Sequence, residues 1–405
     1  MDRVRANAAP PCSSRELPGS PAGGDRLPRI DALRGFALLG ICVVNAQMFG
    51  GTWSPIPGTA PVDRAAAWLI TALFTTKFYL LFAFLFGYSF VLQEKAAEQE
   101  RVSFARRHVR RVLGLFLIGL AHAVLLYPGD ILSTYAVLGL VLLTVRRLNP
   151  RTALRTATAL VVFLTAVFLL VGVLALGLHG APHITTETVA AGQSARYRGD
   201  PLTVVRTNIE EYRHAFSGVL VYSLHLLAAV LTGLAAGRQG WLDPTIRSPA
   251  DTAVRRRRLI AICLPVGLTG GVLTAMCTDG PFDERSYYLG QAVDILTAPL
   301  LTAAYAAVLL ALLDSRFGPP ITRALAPAGR MSLTNYLLQS AVMALTFTGY
   351  GLALHGTIGP AAILCGSGIL WTTQLTLSTP LITHTRYGPA ETLLRLITSG
   401  PRKTQ

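Results

Sequence analysis

The apolar residues of this chain fall in long unbroken blocks rather than in the stripes of an amphipathic helix, and this limits the fold more than any other feature. A block of ~20 apolar residues is long enough to cross a ~30 Å hydrocarbon core as a helix. A helix also satisfies its own backbone hydrogen bonds, which lipid cannot do for it. The blocks lie at about 33–49, 66–92, 112–127, 130–147, 157–178, 216–236, 259–277, 289–313, 331–350 and 358–379. Only the turn Pro128-Gly129 separates the third from the fourth. The expected fold is an all-α integral membrane protein, a bundle of about ten transmembrane helices. No repeat marks two homologous halves, so residues 29–400 read as a single polytopic membrane domain. Residues 1–28, rich in Pro, Gly, Ser and Arg and without an apolar signal-peptide core, read as a disordered tail, and 401–405 as a short C-terminal tail.

Charge gives the orientation. The chain is 52% hydrophobic and only 14% charged, against roughly a quarter charged in soluble proteins. A net charge of +15 would point to nucleic acid in a soluble protein. Here the basic residues sit in short loops, so topology accounts for them and no nucleic-acid partner is expected. The N-terminal tail, the even-numbered loops and the C-terminal tail hold 28 of the 36 Lys and Arg, and the odd-numbered loops hold 6. With Arg146 and Arg147 at the edge of the fourth block counted to the loop that follows, only Arg34 and Lys77 lie inside blocks. That alternation places both termini in the cytoplasm. The 91–111 loop and the Arg255–Arg258 run then face inward. The His179–Ala215 segment and the acidic Asp279–Arg285 loop face outward. Three of the 36 basic residues are Lys, which with the Ala and Gly richness suggests a GC-rich bacterial genome and a bacterial cytoplasmic membrane. The five cysteines form no CxxC, so neither a metal site nor a disulfide framework is expected.

Ionisable or strongly polar side chains inside a span are costly and usually face the bundle interior or a cavity. Asp31 and Arg34 are three apart and share a helix face, either as a helix-start ion pair or with Arg34 binding an anionic ligand group. Asn45, three turns further on, joins helices or lines a cavity. Lys77, near mid-membrane, needs an Asp partner or anchors a ligand phosphate or carboxylate. Asp130 follows His122 by eight residues, across a tight turn. A neutral imidazole oriented by a carboxylate is the usual general base near pH 7, and a structural histidine bonded to a carbonyl is the plainer alternative. His225 and Asp294 carry the same pair of readings, and Asn335 and Gln339 form a polar face suited to helix–helix hydrogen bonds. No HExxH, GxSxG, Walker A or dinucleotide-binding glycine motif occurs, which argues against a self-contained ATP-driven pump.

The run Arg29-Ile-Asp-Ala-Leu-Arg-Gly-Phe-Ala-Leu-Leu-Gly-Ile-Cys-Val-Val-Asn resembles the start of the YeiB-like family of bacterial multi-spanning membrane proteins. Four further motifs follow in order: Lys77-Phe-Tyr-Leu-Leu-Phe-Ala-Phe-Leu-Phe-Gly; Arg110-Arg through Gly119-Leu-Ala-His-Ala to Gly129-Asp-Ile-Leu-Ser-Thr-Tyr; Gly329-Arg-Met-Ser-Leu-Thr-Asn-Tyr-Leu-Leu-Gln-Ser; and Arg386-Tyr-Gly-Pro-Ala-Glu-Thr-Leu-Leu-Arg. Near the last, this chain has Leu381, Thr385 and Thr392 where the family usually has aromatic residues. The family is similar in turn to the transmembrane acyltransferases, which include bacterial O-acyltransferases and the lysosomal heparan-glucosaminide N-acetyltransferase. The shared feature is Leu-Arg-Gly with a polar residue eleven positions after the Arg, here Asn45.

That resemblance implies transfer of an acyl group from acyl-CoA, without a metal, to a hydroxyl or amine of a sugar, lipid or secondary metabolite. It assigns His122 as base, Asp130 as its orienter, Asn45 as a donor to the oxyanion or substrate, and Arg34 and Lys77, with Asp31, as the donor-holding end. Tyr135, Asn335 and Gln339 are expected to line the substrate path. The bilayer, a small-molecule acceptor and a second copy of the chain are the expected partners. A secondary transporter or exporter is the alternative, because intramembrane Asp, His and Lys also build proton relays; the lack of inverted repeats weighs against it. A non-catalytic structural or signalling protein is the third reading. In the enzyme reading Arg34 near the inner face and His122 near the outer face require donor and acceptor to meet along a channel.

Overall fold

The computed structural model describes residues 28–52, 60–177, 186–243, 246, 248–282, 284–385 and 387–399. Among these residues it is all-helical. In chain order the helices are α1 (Pro28–Gly50), α2 (Pro61–Leu73), α3 (Lys77–Gln99), α4 (Phe104–Leu125), α5 (Leu132–Val145), α6 (Pro150–Gly177), α7 (Thr186–Tyr197), α8 (Pro201–Arg238), α9 (Pro249–Thr278), α10 (Tyr287–Leu313), α11 (Gly318–Arg330), α12 (Ser332–Phe347), α13 (Pro360–His384) and α14 (Pro389–Ser399). The 1–28 tail lies outside the described residues save for Pro28, as does 401–405.

The helices start where chain chemistry starts them. Pro201 opens α8, and the Asp200 side chain accepts from the Leu202 and Thr203 amides, meeting orphan donors of the first turn. Ser248 does the same for α9 by accepting from the Asp251 amide, ahead of Pro249. Two helix starts are capped from a distance. Asp63, at the head of α2, accepts from the Ala361 amide of α13 at 3.0 Å. Glu391 of α14 accepts from the Leu333 and Thr334 amides of α12 at 2.7 and 3.2 Å, and from Thr334 Oγ1 at 2.6 Å.

By length and composition six helical stretches can cross a membrane: Pro28–Gly50, Pro61–Gln99, Phe104–Leu125, Pro150–Gly177, Pro249–Thr278 and Tyr287–Leu313. The α6 helix makes the strongest case, because it is strongly apolar and little of it is buried. Phe163, Leu170 and Leu174 are 57%, 61% and 60% exposed, a surface that water would not tolerate at this extent and lipid would. The chain is a multi-pass, all-helical membrane protein. The expected blocks at 130–147, 216–236, 331–350 and 358–379 are helical but fall outside that set of six. The α5 and α12 helices have only 14 and 16 residues, and α13 is rich in Ser and Thr whose hydroxyls bond back into the helix, as Ser367, Thr372 and Thr373 do.

Two elements differ from the pattern of apolar blocks. The second block is a broken helix, with residues 74–76 between α2 and α3 and Thr76 at φ 71°. The 179–215 segment is not a plain loop, since α7 and the first turns of α8 occupy most of its described part. Within the bundle, α3 and α8 cross with backbones in contact. A Cβ on Gly87 would strike the Val230 carbonyl, and one on Gly233 would strike the Phe84 carbonyl, the small-residue packing that membrane helices favour.

Candidate functional site

The α4 helix carries His122 near its C-terminal end, and the turn through Pro128 and Gly129 returns the chain so that Asp130 faces it. His122 Nδ1 lies 2.9 Å from Asp130 Oδ1, with side chains 1% and 0% exposed. Asp130 Oδ2 accepts from the Ser133 amide at 2.7 Å, so the carboxylate also serves the N-terminus of α5. Both carboxylate oxygens are thus engaged as acceptors. His122 therefore donates from Nδ1, which leaves Nε2 as the ring nitrogen turned away from the carboxylate.

Space for this pair is made by Gly119, one turn before His122. A Cβ there would sit 2.6 Å from the Ser133 nitrogen and 2.7 Å from Asp130 Oδ2. From α8, Tyr212 donates to Ser133 Oγ at 3.2 Å and Asn208 to the Val124 carbonyl at 3.2 Å. Tyr336 of α12 lies against the imidazole, ring centroids 5.0 Å apart. His122 Nε2 is buried without a hydrogen-bond partner among the described residues, as are Gln339 Oε1 and Ser340 Oγ. The Tyr336 hydroxyl lies near the Ile131 backbone amide without normal hydrogen-bond geometry. Buried polar atoms are rarely left unpaired, and these lie on His122 and on consecutive turns of the helix that packs against it.

At the other end of α4 stands Arg111, eleven residues before His122. Eleven residues are about three turns, so the two share a face at a rise of about 16 Å. Arg111 is half-buried and makes no hydrogen bond among the described residues. Its electrostatic neighbours are Arg34, Arg107 and Arg395, with Glu391 as a nearby carboxylate. Glu391 is already engaged at the head of α12. Arg34 bonds Asp31 at 3.1 Å and donates to Ser89 Oγ of α3. Among the described residues this end of the bundle sets Arg34, Arg107, Arg111 and Arg395 beside Asp31, Glu100 and Glu391.

The remaining sequence-selected residues go elsewhere. Lys77 is not with Arg34. Its ammonium is 1% exposed, 2.7 Å from Asp294 Oδ1 of α10 and 3.1 Å from the Thr71 carbonyl in the last turn of α2. It closes the helix break, where Tyr305 and Thr302 of α10 also donate to the Leu73 and Lys77 carbonyls at 3.0 and 2.9 Å. His225 lies buried in the field of Asp294. Tyr135 is core: it packs against Phe82 and Phe86, and its hydroxyl donates to the Tyr79 carbonyl at 3.1 Å. Asn335 donates to Ser378 Oγ at 3.1 Å, Gln339 to Gln374 Oε1 at 2.7 Å, and Gln374 back to the Asn335 carbonyl at 2.9 Å. That network joins α12 to α13. Asn45 is partly exposed on α1 and makes no side-chain hydrogen bond among the described residues.

Residues 236–401 match the family described as "Protein of unknown function (DUF418)". The chain is 29% identical over 396 residues to "Uncharacterized protein YxaH" of Bacillus subtilis, covering 92% of this chain and 94% of that protein. It is 27% identical over 404 residues to "Uncharacterized protein YeiB" of Escherichia coli, covering 92% and 97%. The chain is similar to the YeiB-like family, through the family match at its C-terminal part and through relatives that align along nearly its whole length. A further relative, an "Uncharacterized 39.9 kDa protein in amylase 3'region" of Bacillus acidopullulyticus, is 26% identical and matches at similar coverage. The matches to these YeiB-like relatives take in both the His122–Asp130 turn and the Arg-rich end, because they span nearly the whole chain.

Tyr336, Arg111 and Glu391 escape a reading of the sequence alone. Tyr336 adjoins the selected Asn335 but reads as an apolar aromatic. Arg111 reads as one more inward loop arginine, and Glu391 lies beyond the last apolar block. The eleven-residue spacing from Arg111 to His122 repeats that from Arg34 to Asn45, and was the signal available.

Proposed function

We propose that the chain is a bacterial transmembrane acyltransferase that passes an acyl group from acyl-CoA to a hydroxyl or amine acceptor. It crosses the cytoplasmic membrane ten times with both termini inside, because adding α5, α8, α12 and α13 to the six strongest spans restores the alternation of Lys and Arg between loops. The observation that carries the activity is the buried His122–Asp130 pair with Nε2 unoccupied. In that role His122 Nε2 takes the acceptor proton as the acceptor attacks the thioester carbonyl. The tetrahedral intermediate then collapses, and the CoA thiolate leaves and recovers the proton. Asp130 steadies the imidazolium. Arg34 and Arg111 meet the donor's phosphates on the cytoplasmic side, and Lys77 serves the fold instead.

The test is acyl-CoA binding and thiol release by reconstituted protein. Arg34→Ala and Arg111→Ala weaken donor binding. His122→Gln keeps binding and lowers turnover by about 10²- to 10⁴-fold. Folded protein that binds no acyl-CoA, or a His122→Gln variant as active as wild type, sinks the proposal. One observation favours a transporter instead: a helix broken at 74–76 beside the buried Lys77–Asp294 pair resembles the discontinuous helices of secondary transporters. Proton-coupled flux that stops in Asp294→Asn while His122→Gln still transports decides for that reading.

A further inference from the structure

A cavity of about 150 Å³ opens beside the His122 turn. Five parts of the chain meet there: Met48 and Phe49 from the end of α1, Tyr127 through Gly129 from the α4–α5 turn, Gln193 and Tyr197 from α7, Glu211 from α8, and Thr348 and His355 from the α12–α13 connection. Two ring pairs flank it. Tyr127 stacks on Phe49 with centroids 4.5 Å apart, and Tyr197 stacks on His355 at 4.9 Å. The cap is tied down by the Gly349 amide donating to the Tyr197 carbonyl at 2.8 Å, and by His355 Nδ1 lying 2.9 Å from Ser194 Oγ.

Among the residues that line this cavity, the one carboxylate is Glu211. Glu211 is half-buried on the wall and has no hydrogen-bond or ion-pair partner among the described residues. Of the cations nearby, Arg196 pairs with Glu210, and Arg198 donates to the Ser194 carbonyl and acts on His355 rather than pairing with Glu211. Burial, reinforced by Arg198, lowers His355 to about 4, so it is neutral near pH 7. A lone carboxylate among aromatic faces is the setting that favours an organic cation over a neutral or anionic group. The volume is below the ~300–1,000 Å³ of drug-sized sites, which suits a compact head group.

We infer that this cavity binds a small ammonium group, with Glu211 as its counter-charge and the rings of Tyr127 and Tyr197 as its walls. Tyr127 lines the cavity and also meets the His122 ring edge-on, centroids 6.2 Å apart. On the acyltransferase reading, from which this extension follows, the cavity is the entry of an amine-bearing acceptor. The ammonium belongs either to a free amine or to a phosphatidylethanolamine head group.

Isothermal titration of the purified full chain in phosphatidylglycerol nanodiscs, which contain no ammonium, tests the site. Ethanolamine is the probe and ethylene glycol its neutral counterpart. Saturable binding of ethanolamine at least tenfold tighter than the glycol is expected, lost by tenfold or more in Glu211→Gln, weakened severalfold in Tyr197→Leu and kept in His122→Gln. Phosphatidylethanolamine added to the discs competes with the probe if the lipid is the source, and leaves the titration unchanged if a free amine is. Equal affinity for the two probes overturns the inference, as does undiminished binding by a Glu211→Gln variant that melts like wild type. Ethanolamine bound through Glu211 by a protein that transfers no acyl group leaves the site standing and removes the transferase. Acyl transfer to neutral alcohols without ethanolamine binding does the reverse.

Discussion

Replacing Lys77 with Met while keeping Asp294 leaves a carboxylate that is 3% exposed among apolar helices. At 2.7 Å the pair attracts by about 6 kcal/mol at an effective dielectric of about 20. Much of that attraction offsets the cost of taking two charges out of water. Removing one partner forfeits the attraction and keeps the other partner's desolvation cost, so Lys77→Met and Asp294→Leu should each destabilise by about 3–5 kcal/mol. The double variant removes both charges. What remains is the loss of the Lys77 bond to the Thr71 carbonyl, about 1 kcal/mol, so the double should lie within about 2 kcal/mol of wild type. The assay is reversible unfolding in mixed micelles, followed by far-ultraviolet circular dichroism across the four-variant cycle. Single effects that simply add in the double would refute the pairing argument. Acyl-CoA binding measured on the same samples should be unchanged in the double. A folded double that has lost it would return Lys77 to the donor end.

Gly119→Ala should push Asp130 from His122, lowering turnover at least tenfold and stability by about 1–3 kcal/mol; both are read from kinetics and melting of one preparation. Glu391→Gln should loosen α14 from the head of α12 at a cost of about 1–3 kcal/mol, seen as a lower melting temperature and earlier proteolysis of the C-terminal end. Gln374→Leu should cost about 1 kcal/mol, since interhelical hydrogen bonds in membranes average ~0.6; equilibrium unfolding measures it. The outer cap should weaken in acid. His355 is lowered from 6.5 to about 4, so the unfolded chain takes up the proton first. The resulting stability is complete above about pH 6.5 and is lost as pH falls toward 4, on the order of 3 kcal/mol. Melting curves from pH 7 to 4 should flatten in His355→Gln.

Short-range relations were legible in the sequence. His122 and Asp130 are eight residues apart across a turn that Pro128 and Gly129 announce, and Asp31 and Arg34 share a helix face by spacing alone. Long-range partners were not. The sequence demands a counter-charge for Lys77, but nothing local selects Asp294, 217 residues away. The break at 74–76 was hidden because Thr75 and Thr76 carry no Pro or Gly to mark it. Asp200-Pro201 did announce the start of α8, yet the apolar block begins only at 216 and masked it. Tyr135 and Gln339 looked available as polar groups in apolar helices, but the folded chain spends the Tyr135 hydroxyl on the Tyr79 carbonyl and the Gln339 amide on Gln374.

The separation of 217 residues between Lys77 and Asp294 also sets a timetable for synthesis. At ~5–20 residues per second the lysine leaves the ribosome about 10–40 s before the carboxylate that neutralises it. Thr302 and Tyr305, which satisfy the carbonyls of the helix break, arrive later still. Until then the α2–α3 break carries an ammonium without its counter-charge and open backbone carbonyls that lipid cannot satisfy. The early helices must therefore wait beside the insertion machinery or an intramembrane chaperone, and a chain truncated before residue 294 should be found there instead of free in the bilayer.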